Sequence, residues 1–439
     1  MAVKVAVDGE NFKFSGRAWN ITEAKNKALE PYGRVVLNYG IVLELIPDDV
    51  QKKDLAQQIG NARFIRNRYL ANRLACYKEN RKTLTVTEYK AKYFPALKEE
   101  FEFLRLSDKF ALEAAVEHVD AAYANFFDGR ARFPKFVSKW KPNGNTYTTK
   151  QTNGNIRLEL REGKDQMVLP YIKLPKVGWV RFVLPKKRTL QDILPDGTTI
   201  LSASIKRKGD RFTVSLQLES IIPSPVQAAQ MSVHDIIAAD MGLKVFALIG
   251  GPDWDKEIPN PRWIRLHEKR LRRLQKALSR KQYDEETHTG SKNWEKAKKR
   301  VAAEQRKIAN QRKDFQHKLS RYIADNCLAF ICEDLNIKGM VKNHRLAKEI
   351  SSAAWGQFLT MVKYKMERLG KFFIQVNRWF PSSQNCSCCG YKNTEVKDLG
   401  IRVWKCPECG TLHDRDANAK NNILAEGVRL LREAGVAVT

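Results

Sequence analysis

Four cysteines near the C-terminus, Cys386, Cys389, Cys406 and Cys409, form two C-x2-C pairs with sixteen residues between them. Pairs at this spacing build the two knuckles of a zinc ribbon, in which four thiolates close a tetrahedron around one Zn2+. Four thiolates leave no open coordination position, so the expected role of the ion is structural. Gly390 and Gly410 follow the pairs directly, where a knuckle turn tolerates little side chain. The extra thiol in "CSCC", Cys388, reads as a bystander, and Cys76, Cys327 and Cys332 read as small buried hydrophobes. Eight cysteines in 439 residues are too few for a disulfide scaffold, which points to metal in a reducing compartment.

The length exceeds what one hydrophobic core supports and suggests about three domains at roughly 150 residues each. The formal charge of +29 implies a polyanionic partner. No apolar run approaches the ~18 residues of a spanning helix, and the opening "MAVKVAVDGENFKF" lacks the apolar core of a secretory signal. A soluble, cytoplasmic protein with no membrane partner is expected.

Residues 1–33 show no sustained period and form an extension of unknown role. "RVVLNYGIVLELIPD" is β-rich, and Pro47 with Asp48 closes a strand and prepares a helix cap. From Val50 the pattern turns helical, with Leu55, Ile59 and Ala62 on one stripe and Arg63, Arg66, Arg68 and Arg73 decorating the segment. Helical sequence continues to about Phe127. The stretch after it interleaves Arg132, Lys135, Lys139 and Lys141 with Phe133, Phe136, Trp140 and Tyr147. Such a segment either holds phosphates and stacks on bases, or is a basic loop whose aromatics anchor it to a core; the residues leave both readings open. Residues 155–219 are β-rich, with Lys208-Gly209-Asp210-Arg211 as a hairpin turn and Pro-bounded runs that fit the short strands of a small β-barrel. Pro223 and Pro225 mark a domain linker.

Beyond the linker, "IIAAD" and "VFALI" read as two adjacent buried strands. Between Pro261 and Ser320 stand nineteen Lys/Arg against seven Asp/Glu, a net of +12, or two fifths of the excess charge. Leu271, Leu274, Ala277 and Leu278 give one helical stripe there, and a second basic helix follows an acidic break. The sign asymmetry favours a nucleic-acid-facing helix pair, with Arg270, Arg273, Lys276, Arg280, Arg306 and Arg312 as candidate contacts beside Arg63, Arg66, Arg132, Lys135 and Lys139. "CLAFICED" is a further buried strand. Trp355, Phe358, Val362, Met366 and Leu369 share a core-facing helical stripe, and "KFFIQVN" reads as another strand.

Three acidic positions stand at the edges of buried elements: Asp240 after "IIAA", Glu333 after "CLAFIC", and the pair Asp414/Asp416 opening the last helix. Acidic groups brought to one sheet edge repel unless cations lie between them, the arrangement of a two-metal phosphodiester nuclease using Mg2+ or Mn2+. Asp414 sits at the expected N-cap, which leaves Asp416 for the metal. Glu333 and Asp334 alternate faces on a strand, and Asp334 heads into the Leu335-Asn336 turn, which favours Glu333.

With these motifs in hand, "AADMGLKVFAL", "CEDLNIKGM", "PSSQNCSCCGYKN" and "WKCPECGTLHDRDANAKNNI" together resemble the TnpB family of transposon-encoded RNA-guided nucleases and the related compact type V CRISPR-Cas effectors. The resemblance is close from about residue 196 to 425 and weaker before it. It implies a multi-domain α+β fold: a helical recognition region and a β-barrel wedge domain, then an RNase H-like (RuvC) α/β domain with an inserted zinc ribbon. The implied divisions are 1–33 for the extension, 34–154 for a wedge strand plus the helical region, 155–222 for the wedge barrel, 223–380 for the first nuclease part, 381–413 for the ribbon and 414–439 for the third acidic motif. It further implies Asp240, Glu333 and Asp416 as the catalytic metal-binding carboxylates, and an RNA-guided DNA endonuclease reading a short motif that flanks its target. Guide RNA, double-stranded target DNA and its separated strands are the implied partners, with a monomer or homodimer on one RNA. No second, HNH-like nuclease motif is apparent, so one site cuts both strands in turn. Base pairing carries the sequence information in such a system, and a cationic channel for the heteroduplex backbone agrees with the charge of +29. Two rival readings are an RNA-guided repressor without cleavage, which loss of a carboxylate would favour, and an RNase H-like transposase acting without RNA.

Overall fold

A computed structural model describes residues 3–8, 11–15, 21–140, 142–162, 167–344, 346–398 and 400–439. The chain divides into two units, Met1–Ser224 and Pro225–Thr439, at a boundary inside the Pro-bearing segment expected to link domains.

In the first unit the described opening residues, which carry no visible period, form an antiparallel hairpin of β1 (Lys4–Asp8) and β2 (Asn11–Ser15), followed by α1 (Ile21–Leu29). Leu29 is fully buried and Lys25 pairs with Glu219 at 2.6 Å, so α1 is part of the unit's body. The long strand β3 (Arg34–Ile46) ends at Pro47. The Asp48 side chain then accepts from the backbone N–H of Gln51 while the Gln51 side chain accepts from that of Asp48, a capping box that starts α2 (Asp49–Asn80). Helices α3 (Val86–Glu100) and α4 (Lys109–Phe127) follow.

The remaining elements of this unit are β4 (Thr146–Lys150), β5 (Arg157–Glu162), β6 (Val168–Leu174), β7 (Gly178–Val183), the short α5 (Leu190–Ile193), β8 (Thr199–Lys208) and β9 (Arg211–Pro223). They join β3 in one antiparallel sheet of order β4-β8-β9-β3-β7-β6-β5. The β8–β9 turn falls at Gly209, whose φ of 67° suits glycine. Among the described residues β4 and β5 each have one neighbour, so the sheet is open where a closed barrel was expected. The helices supply the reason. Leu55, Ile59 and Ala62 of α2 and Val116 of α4 share one core with Leu43, Ile172 and Leu216 of the sheet. Helices inserted between β3 and β4 thus cover apolar side chains that a closed barrel would have buried within itself.

The second unit is built on a five-stranded sheet of order β13-β12-β11-β16-β17. Its strands are β11 (Ile236–Asp240), β12 (Val245–Gly250), β13 (Asp255–Pro259), β16 (Ala329–Glu333) and β17 (Phe372–Val376), with β10 (Gln230–Met231) preceding them. The first three pair antiparallel; β11, β16 and β17 run parallel. Between β13 and β16 the chain makes α6 (Trp263–Ser279), a small hairpin of β14 (Tyr283–Asp284) and β15 (Thr289–Gly290), and α7 (Lys292–Asn326), the expected pair of basic helices. After β16 come α8 (Ile337–Met340), α9 (Ala347–Ala353) and α10 (Trp355–Arg368). Trp355, Phe358, Val362 and Met366 are buried as their spacing predicts, but Leu369 is 42% exposed because α10 ends at Arg368 and Leu369 caps it.

Alternation along the central strands decides what each face meets. Ile237, Ala239, Phe330 and Cys332 pack with Leu319 and Ile323 of α7 and Phe358 of α10. Ile236, Ala238, Ala329 and Ile331 face the other way, toward Ile423, Leu424, Val428 and Leu431 of α11 (Arg415–Glu433). Strands buried on both faces read as unbroken apolar runs, which is why "IIAA" and "AFIC" were legible. α11 crosses closely: a Cβ built on Gly427 would lie 2.2 Å from Ile331. The ribbon precedes α11 and contains the hairpin of β18 (Val403–Lys405) and β19 (Leu412–Asp414); β20 (Ala437–Val438) pairs with β10. No described helix is long and apolar enough to cross a membrane.

Candidate active site

The parallel register aligns Ala239 with Cys332. Asp240 and Glu333 follow as the last residues of neighbouring strands, each emerging after four buried positions. The carboxyl end of parallel strands is where sheet side chains reach a ligand. Period two places Asp240 with Ile236 and Ala238, and Glu333 with Ala329 and Ile331, so both carboxylates stand on the face that α11 covers. Asp416 lies in the first turn of that helix.

Asp240 lies within electrostatic reach of the other two acids. Burial pushes the Asp240 carboxyl up to about 7; the charges of Glu333 and Asp416 push the same way, and Arg415 opposes them. Each acid has a separate neighbour as well. Asp414 caps α11 by accepting from the backbone N–H groups of Asp416 (3.0 Å) and Ala417 (2.9 Å), the role its position predicted. Asp416 Oδ1 lies 3.1 Å from Arg402 Nη1, Glu333 accepts from the Ser382 hydroxyl, and Asp334 forms an ion pair with Arg378. Among the described residues, the sets of potential ligand atoms drawn within 4.8 Å of one another are sulfur-centred, so these carboxylates stand further apart than a filled thiolate cage.

The four ribbon cysteines form such a set. Cys386 and Cys409 sulfurs are 3.6 Å apart, as are those of Cys389 and Cys406. That matches the roughly 3.8 Å edge of a tetrahedron built on Zn–S bonds of about 2.3 Å. The two knuckles repeat one backbone pattern: the N–H groups of Gly390 and Gly410 each donate to the carbonyl of the first cysteine of their pair, at 2.9 Å in both. Both glycines have φ near the left-handed region's upper range, 79° and 72°. Cys388 is less remote than a bystander, because its sulfur groups with Cys386 and His413 in a second, overlapping set. His413 Nε2 lies 3.0 Å from Cys386 Sγ, and its ring packs on Trp404.

The candidate nucleic-acid contacts fall in both units. Arg63 donates to the Gly144 carbonyl at 2.8 Å and Arg66 to that of Lys135 at 3.0 Å, so both brace the loop after α4. In that loop Phe133 packs edge-on against Tyr123 and Phe126, and beyond it Tyr147 of β4 is buried, which supports anchoring for these two rings. Phe136 and Trp140 are exposed, with Lys139 stacked on Trp140. Arg132 and Lys135 are exposed, and Lys141 lies outside the described residues. Arg270 reaches Glu304 of α7 at 3.0 Å and Arg312 reaches the Ser351 carbonyl at 3.2 Å. Arg273 and Lys276 line the exposed side of α6 and exposed Arg280 caps its C-terminus, while Arg306 is half-buried.

Sequence reasoning missed Ser382, Arg402, Asn418, Lys420 and Asn422. A signal existed: "NAKNN" puts three asparagines inside a helix, where they compete with the backbone and persist when their side chains have partners. Asn422 Nδ2 donates to the carbonyls of Ser382 and Asn385, each at 2.7 Å. Buried Lys420 pairs with Asp255 at 2.8 Å and donates to the Gly251 carbonyl at 2.7 Å.

Family models match three stretches: one described as a probable transposase at residues 221–344, a Cas12f1-like TNB domain at 355–423, and a helix-turn-helix domain at 38–82. An RNA-guided DNA endonuclease of Streptomyces pristinaespiralis is 31% identical over 387 residues, covering 87% of each chain. The InsQ RNA-guided DNA endonuclease of Escherichia coli K12 is 25% identical, covering 88% of this chain and 92% of its own. In fold, the chain is similar to Cas12f1 in a complex with single guide RNA and target DNA, with a TM-score of 0.53 at 12% identity over 89% of this chain and 99% of that one. Similarity at this level over nearly the whole length means that the chain belongs to the TnpB family, to which the compact type V CRISPR-Cas effectors are related.

Proposed function

We propose that this protein is an RNA-guided DNA endonuclease that hydrolyses phosphodiester bonds at one RuvC-like site formed by Asp240, Glu333 and Asp416. The reading is supported by Asp240 and Glu333 standing at the ends of two neighbouring parallel strands, and by the charges of Glu333 and Asp416 that help to raise the Asp240 pKa. An all-oxygen donor set of like charge fits Mg2+ or Mn2+. A bound divalent pair supplies the water activation and the charge neutralisation at the leaving oxygen that phosphodiester hydrolysis needs. The chain's own residues do the rest. Asp240 and Glu333 fix two donor positions on rigid strands, and α11 presents Asp416 beside them, with Asp414 spent on the cap. Arg415 tempers the negative field, and Arg402 stands against Asp416 where a phosphate would approach.

The four-cysteine ribbon fits a structural Zn2+ that braces the loop leading into α11. The first unit, with its α2–α4 helices and open sheet, is the proposed holder of the guide RNA and reader of the flanking motif. Exposed Arg132, Lys135, Lys139, Arg273, Lys276 and Arg280 are the proposed phosphate contacts, with half-buried Arg306 among them, and Arg63, Arg66, Arg270 and Arg312 are further proposed contacts that also brace the fold. The test is purification followed by sequencing of bound nucleic acid and a cleavage assay on a matching plasmid. A discrete RNA that directs Mg2+-dependent cutting is expected; RNA-free protein that still cuts would contradict the guide model.

A further inference from the structure

The segment Pro381–Ser387 touches three things at once. At its start, the Ser382 hydroxyl donates to Glu333 Oε1. At its end, Cys386 opens the first metal knuckle. Between them it is held from one side by α11: Asn422 Nδ2 donates to the Ser382 and Asn385 carbonyls, Asn418 Nδ2 donates to the Asn385 carbonyl, and Asn418 Oδ1 accepts from the Ser387 N–H at 2.9 Å. Asn418 and Asn422 are four apart, so they present to one face of the helix whose first turn carries Asp416. Ser382 itself is 6% exposed, which leaves its hydroxyl little freedom to turn elsewhere.

We propose that Ser382 is a positioning residue for Glu333, and that the zinc knuckle and the asparagine clamp set the divalent-metal affinity of the acid cluster through it. A carboxylate held by a donor on one oxygen has fewer orientations to lose when its other oxygen is engaged, and partners of this kind commonly change metal affinity by about 10- to 100-fold. The ribbon therefore acts on the acids by holding Ser382 in place. This inference rests on Glu333 belonging to the metal site proposed above.

The experiment is Mn2+ titration of the full chain followed by electron paramagnetic resonance, without nucleic acid, with zinc content measured in parallel. Ser382→Ala should weaken Mn2+ binding about tenfold while retaining zinc, and Ser382→Thr, which keeps the hydroxyl, should restore most of it. Asn422→Ala should weaken Mn2+ binding in the wild-type background and add little to Ser382→Ala, because the two act in one chain of contacts. Wild-type Mn2+ binding that Ser382→Ala leaves within twofold overturns the positioning role alone. A wild-type chain that binds no Mn2+ overturns the carboxylate site, and this inference with it.

Discussion

The two acid- and thiol-rich regions of the second unit stand in opposite states. The ribbon's four sulfurs are already at tetrahedral spacing, gathered by two backbone-bonded knuckles. Among the three carboxylates, Asp416 pairs with Arg402, Glu333 accepts from Ser382, and burial raises the pKa of Asp240. A structural site can be closed because nothing must leave it. A reactive site must keep room for ion, water and substrate.

The largest expected effect separates the regions by function. Asp240→Ala, Glu333→Ala or Asp416→Ala should each lower cleavage by about a thousandfold or more while leaving RNA binding and zinc content near wild type; the threshold corresponds to about 4 kcal/mol of lost transition-state stabilisation. A variant that still cuts at the wild-type rate removes its position from the site. Cys406→Ser comes next. It should lose zinc, and with it cleavage, with the damage confined to the ribbon and to the start of α11; protection of those amides from hydrogen exchange is the measurement. Unchanged protection would mean that the ribbon is not what braces α11.

Acidity gives a sharper contrast. The Asp240 carboxyl moves from its usual 3.8 to about 7, so between those values the folded chain keeps a proton that the unfolded chain has released. Stability then falls as pH rises through that window, and the loss is complete above pH 7. Asp240→Asn should therefore stabilise the metal-free chain by roughly 1–3 kcal/mol at pH 8 and by almost nothing at pH 4, read from denaturant midpoints. The same proton competes with metal, so apparent Mn2+ affinity should drop as pH falls from 8 to 6. The smallest effect is at Arg402, which shares Asp416 at a half-exposed site. Arg402→Ala should raise Mn2+ affinity in the absence of nucleic acid by no more than about fivefold, since exposed ion pairs are worth ~1 kcal/mol or less.

How legible all this was depends on how local the signal is. The cysteine pairs, the cap at Asp48, the hairpin at Gly209 and the runs that became β11 and β16 each carry their structure in a few adjacent residues. The open sheet does not, because strand order depends on helices inserted between β3 and β4 and on which apolar surface they cover. Asp240, Glu333 and Asp416 were readable as edge acids, and the two-residue alternation places the strand acids on the face that α11 covers. Ser382 and Arg402 were invisible, since a lone serine or arginine is informative only once its carboxylate partner is located. Leu369 shows the limit of periodicity: the stripe continues past the residue where the helix ends.

The central claim is that Asp240, Glu333 and Asp416 hold divalent cations in common. Mn2+ soaked into crystals of the protein and located by anomalous scattering tests it most directly. A Mn2+ peak among the three carboxylates is expected in the wild-type chain, with its loss in Asp240→Ala. Peaks confined to other surfaces, or a peak at this place that survives removal of all three acids, would contradict it.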